Sequence, residues 1–204
     1  GEEVHLTTPL LLDVLRPHVV VLTGKRGEGK SYVGGVIAEE IMKLPQHVKK
    51  NLCMLIIDTQ GIFWTMKMPN DKEYALLNEW QLPPRGFDVN VFVPDGQADT
   101  FTAAGVEFDG TFSVQPSQLT TDDWLYLFDI GANEPIGILL QKSLGKMRGT
   151  YTISDIISVL EKEEGFEHEK LALQSRFSAA QGWGIFGDEK MPEMLEPGKT
   201  SIID

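Results

Sequence analysis

The chain has 204 residues, 42% hydrophobic and 24% charged, with a formal net charge of −12 and one cysteine. That suits one α/β domain with a sizeable core, or one carrying an insertion. It excludes an intrachain disulfide and a cysteine-based zinc site, disfavours a broad nucleic-acid-binding surface, and holds no apolar run near the ~20 residues that cross a bilayer. Cys53, inside the apolar run Leu52–Ile57, reads as a buried, inert thiol, and a cytoplasmic, reducing compartment fits. The chain starts Gly-Glu-Glu without Met, which reads as an engineered or trimmed start.

Residues 1–17 form a lead-in segment. Thr8 can cap and Pro9 can open a short packing helix through Leu10–Leu15. A core region spans 18–98 and begins with the β-branched run Val19–Thr23, which predicts a buried strand. Gly24-Lys25-Arg26-Gly27-Glu28-Gly29-Lys30-Ser31 follows, a complete G-x-x-x-x-G-K-[ST]. After it, Val33, Val36, Ile37, Ile41 and Leu44 stand at helical spacing.

Strand, glycine loop and helix are the three parts of a P-loop. Such a loop wraps a polyphosphate with backbone N–H groups, so bulky side chains hinder it and glycines with positive φ suit it. The helix N-terminus adds amides and the positive end of its dipole. Lys30 supplies a compact charge for the β/γ-phosphates, and Ser31 a hydroxyl for Mg²⁺. The expected binding set is therefore Gly24–Ser31 with Tyr32, the ligand ATP with Mg²⁺.

Pro45–Asn51 reads as a basic, solvated turn, and Leu52–Ile57 as a central parallel strand covered on both faces. Asp58 stands at the C-terminal end of that strand, the edge where α/β sheets bind ligands. It faces the phosphates or metal, or else caps the turn Asp58-Thr59-Gln60-Gly61. Both readings remain open. The D-x-x-G spacing is that of small GTPases, yet no N-K-x-D follows, and seven residues before the strand leave no room for a switch loop.

Val89–Val93 predicts a third strand, closed by Pro94-Asp95-Gly96. Residues 99–195 read as an insertion: first a hairpin, 102–108 with 111–114 around Asp109-Gly110, then helices. The helices start near Thr121, at Glu134-Pro135 capped by Asn133 and running to about Gly149, at Ile153 behind Thr152 with Asp155, and at Glu167. The acidic run Glu161–Glu169 reads as a solvated face, and Lys142, Lys146 and Arg148 as partners of a helix dipole. Residues 196–204, ending Thr200-Ser201-Ile202-Ile203-Asp204, read as the start of a further core strand in which the chain is truncated.

In its order of features the chain resembles the HerA/FtsK superfamily, and most of all HerA-type helicase or translocase ATPases. The matching pieces are His18–Leu22, Gly24–Ser31, Ile57–Gly61, Phe112–Ser117, Gly184–Phe186 and Pro197–Asp204. The resemblance implies an α/β, RecA-like, mostly parallel sheet flanked by helices, with a helical insertion. It also implies a hexameric ring that moves DNA through its pore with ATP, partnered by a NurA-type nuclease in DNA-end processing. No membrane role is implied.

Two departures stand out. Ile62 occupies a position where relatives often carry Glu, and the family's Asp-Glu strand, whose Glu positions water, would fall beyond residue 204. On that reading this chain binds nucleotide and hydrolyses it poorly, since a positioned base contributes ~10²–10⁴ in rate. Arg148 and Arg176 are candidates for a subunit-crossing arginine, though a surface or helix-capping place is the simpler reading of each. The competing functions are a P-loop motor of secretion or conjugation type acting on protein, and a non-catalytic nucleotide-binding assembly module.

Overall fold

Short apolar runs rich in Val and Ile become strands here by pairing side by side in one direction. The computed structural model describes residues 11–188 and 191–204. In chain order its elements are helix α1 (Lys30–Met42), the single turn α2 (Gln46–Lys49), strand β1 (Met54–Ile57), helix α3 (Tyr74–Glu79), strand β2 (Asn90–Pro94), helix α4 (Ala98–Ala103) and strand β3 (Gly110–Phe112). Helices α5 (Thr121–Leu127), α6 (Pro135–Leu144), α7 (Ile153–Glu161) and α8 (Glu167–Gln181) follow, and strand β4 (Thr200–Ile203) returns to the sheet. The four strands are all parallel, in the order β1-β4-β2-β3.

Strand β4 lies inside the sheet between β1 and β2, with Thr200, Ser201 and Ile202 all buried. Ile202 pairs with Ile56 on one side and Val91 on the other, and is fully buried. Val91, Val93, Phe87 and Val89 complete the core beneath α1, which contributes Ala38 and Met42. Strand β1 is at the edge instead and alternates, with Leu55 and Ile57 exposed. The double-sided burial expected of it does not occur, and Cys53 at its foot is exposed too.

The helices α5 to α8 have their own core, in which Trp124, Leu139, Leu140, Ile156, Leu160, Leu173 and Phe177 are fully buried. Trp124 and Phe177 lie with ring centroids 5.0 Å apart, and Phe128 meets Phe177 edge-on. Capping boxes start two of these helices. Thr120 and Asp123 exchange hydrogen bonds ahead of α5, and Thr152 and Asp155 ahead of α7. Gly96 after β2 donates its N–H to Gly184 O at 2.9 Å, and Trp124 stacks on Phe186, so the bundle's exit is tied back to the sheet.

Several sequence expectations are corrected. Residues 19–23 make no strand: a strand exists only as part of a ladder, and no described residue hydrogen-bonds this stretch. Val19 is 94% exposed. Residues 11–15 are not helical either; the Asp13 carboxylate accepts from Leu15 N–H and pairs with His18, while Thr8 and Pro9 lie outside the described residues. The basic connection contains a helical turn rather than a plain loop.

The hairpin is replaced by helix α4 and the parallel strand β3. Asp109 decides this: its N–H donates to Val91 O and its carboxylate accepts from Val91 N–H, which starts β3 alongside β2 in the same direction. Helix α6 is flanked by Glu134 rather than capped by Asn133, and ends at Leu144.

Candidate functional site: the phosphate loop and the sheet edge beside it

Gly27 and Gly29 both take left-handed conformations, with φ of 83° and 80°, which side chains rarely adopt. Gly29 is thereby the N-cap of α1, and its carbonyl accepts from Val33 N–H at 2.9 Å. No side chain caps the helix and no acidic residue stands in its first turn. The amides of Lys30, Ser31 and Tyr32 have no intrahelical acceptor, so the dipole's positive end is open to an anion.

Lys30 folds back over this mouth. Its Nζ donates to Gly24 O at 2.9 Å and Lys25 O at 2.7 Å, so its charge is held above the loop rather than waving in solvent. Glu28 closes the other side, its carboxylate accepting from Lys25 N–H at 2.9 Å. Ser31 and Tyr32 are exposed at the start of the helix, as are the side chains of Lys25 and Arg26. Gly24 to Tyr32 form one contiguous feature, exposed except at the half-buried Lys30, whereas Asp58 of the predicted set is buried.

A cleft of about 550 Å³ runs from Ser31 and Tyr32 along α1, walled opposite by Ile62, Phe63, Met66 and Phe87. The turn after β1 builds that wall, and Asp58 builds the turn. Asp58 is 5% exposed. Its Oδ1 accepts from Gln60 N–H at 3.0 Å, and its Oδ2 from Ile62 N–H at 2.7 Å and Phe63 N–H at 2.6 Å. Phe63 is thereby set against Gly34, where an added Cβ would lie 3.6 Å from the ring tip. Of the two readings of Asp58, the geometry displays the turn-holding one: three amides occupy most of what a carboxylate can accept.

Asp204, which sequence reasoning passed over as a site residue, stands beside it. Asp58 N–H donates to Ile203 O, Asp204 N–H donates to Phe92 O, and Asp204 Oδ1 would lie 3.4 Å from a Cβ on Gly61. Asp204 Oδ2 is buried with no hydrogen-bond partner among the described residues. Burial and then the Asp58 charge push the Asp204 carboxyl above its ordinary pKa. The available signal was the parallel between Leu55-Ile56-Ile57-Asp58 and Ser201-Ile202-Ile203-Asp204, two apolar strands each ending in Asp at the same sheet edge.

The loop fits a nucleotide phosphate chain and the Mg²⁺ that accompanies it. Among the described residues no group of three or more acidic, His or Cys side chains could hold a metal. Mg²⁺ on a P-loop needs none, because phosphates and water fill most of its coordination sphere, and the exposed Ser31 is the residue that would offer it a hydroxyl.

The profile of the Helicase HerA central domain matches residues 3–185. The chain belongs to the HerA family. It is thus an α/β, RecA-like P-loop domain of the HerA/FtsK ATPase type, and the family implies nucleotide and Mg²⁺ binding. No curated protein and no solved structure matches this HerA-family chain. No helix among its described residues is long and apolar enough to cross a membrane.

The remaining candidates fall elsewhere. Arg148 donates to Gly145 O and Met147 O, and Arg176 to Ala172 O, so both serve their own helix ends or faces. Lys142 and Lys146 do not merely face a dipole; both ion-pair with Glu163, whose side chain is buried. The acidic run is therefore not uniformly solvated.

Proposed function

We propose that this HerA-family domain binds ATP and Mg²⁺ as part of a hexameric ring that moves DNA through its pore, in the cytoplasm. A NurA-type nuclease is the partner this reading expects, with the work lying in DNA-end processing. The observation that carries the nucleotide part is the open N-terminus of α1 with Lys30 held above it by two carbonyls. Gly27, Gly29, Lys30 and Ser31 would present amides to the phosphates, the Lys30 charge would pair with a phosphate oxygen, and the Ser31 hydroxyl would serve Mg²⁺, while the Glu28 amide is taken by Lys25 O. Bound, MgATP supplies the phosphoryl bond whose hydrolysis drives movement. Asp58 acts as a positioning residue, holding Phe63 against α1.

The test measures binding of a fluorescent ATP analogue with Mg²⁺ by the chain and by Lys30→Ala, then ATPase rate of the protein with and without duplex DNA. Lys30→Ala should weaken binding by about a hundredfold, the loss of a charge-assisted contact or two. Equal binding by both proteins overturns the nucleotide reading. The net charge of −12 favours the second reading, a motor acting on protein. A rate indifferent to DNA at low salt would move the conclusion there.

A further inference from the structure

Glu28 is the one acidic side chain in the loop Gly24–Ser31, among three cations. Two observations meet on it. Its carboxylate accepts from Lys25 N–H while Lys30 Nζ donates to Gly24 O, so the single peptide unit joining Gly24 to Lys25 is gripped at both ends by opposite charges. That carboxylate also sits close against residue 24, where a side chain would press it aside by a few tenths of an ångström. A Cβ on Gly24 would lie 3.3 Å from Glu28 Oε2 and 3.7 Å from Lys30 Cγ.

We propose that Glu28 sets the nucleotide affinity and the triphosphate-to-diphosphate preference of this loop, resting on the reading of the loop as a nucleotide site. Two effects oppose each other. As an acceptor, Glu28 fixes the peptide so that its carbonyl faces Lys30 and the loop is shaped before nucleotide arrives. As an anion, it repels the incoming phosphates, and repels the more highly charged triphosphate most. Glu28 is a positioning residue with an electrostatic cost, and the two parts separate by substitution. Gln keeps an acceptor for Lys25 N–H and removes the charge, whereas Ala removes both.

The experiment measures ATP and ADP dissociation constants at two ionic strengths for the chain, Glu28→Gln and Glu28→Ala, with amide exchange at Lys25 in nucleotide-free protein. Glu28→Gln should bind ATP about three- to tenfold tighter at low salt and gain less with ADP. Both gains should shrink at high salt. Glu28→Ala should bind more weakly than Glu28→Gln and exchange the Lys25 amide faster than either other protein. Identical affinities in all three proteins at both salts overturn the proposal, as does a Lys25 amide indifferent to Glu28→Ala. If that amide responds while no protein form binds nucleotide, the clasp stands and the nucleotide reading is what fails.

Discussion

The helical bundle and the phosphate loop are held by opposite means. In the bundle Trp124, Phe177 and five aliphatic side chains are sealed from water, and shape follows from burial. Around the loop nothing is sealed: residues 19–29 are exposed, and the shape comes from Lys30, Glu28 and two left-handed glycines. Buried apolar area supplies stability in bulk, whereas a few polar clasps supply geometry. A site that must admit a charged ligand cannot be packed shut, so it is the weaker region by design of its task.

That contrast can be broken by mutation. The largest effect should be Phe177→Ala, which opens a cavity between Trp124 and Phe128 and should cost about 3–5 kcal/mol in denaturant unfolding. A loss under 1 kcal/mol would mean the bundle is not so packed. Smaller is Glu163→Gln, about 1–3 kcal/mol at neutral pH, because the two lysines it releases are already half-exposed.

Hydrogen bonds from Lys142 and then Lys146 hold the Glu163 carboxyl below its ordinary pKa, against the opposing effect of burial. Its stabilisation is therefore present above the unfolded-state pKa and lost as pH falls through the folded one. Wild type should lose stability in acid more steeply than Glu163→Gln, and parallel acid curves would refute the pairing. Least of all should be Val19→Ser, within about 0.5 kcal/mol, as for any exposed site. A large loss there would place Val19 in a core and erase the difference between the two regions.

How much was legible differed along the same line. The loop is readable from the spacing of a few residues, since close approach to phosphate calls for glycine at 24 and 29 and for the Lys30-Ser31 pair. Thr152 with Asp155 announced α7, because a capping box is a contact within four residues. Asp58 was read to its place at the strand end, yet its three amide partners come from the turn's final path, which no spacing reveals. Glu163 looked like one of several solvated acids; only the packing of α6 against α7 brought Lys142 and Lys146 to it.

By itself, then, the sequence determined the phosphate loop, the helix behind it, strands β2 and β4 and the helices of the bundle. Each depends on local periodicity, glycine conformation or caps, all of which act within a few residues. Tertiary structure alone decided that Asp109 opens a parallel strand rather than a hairpin turn, and that β1 lies at the edge with Cys53 exposed. It alone left Val19–Leu22 unpaired and set Asp204 beside Asp58. Those outcomes depend on which strand finds which neighbour. Such pairing joins residues as far apart as Ile56 and Ile202, beyond the reach of any local pattern.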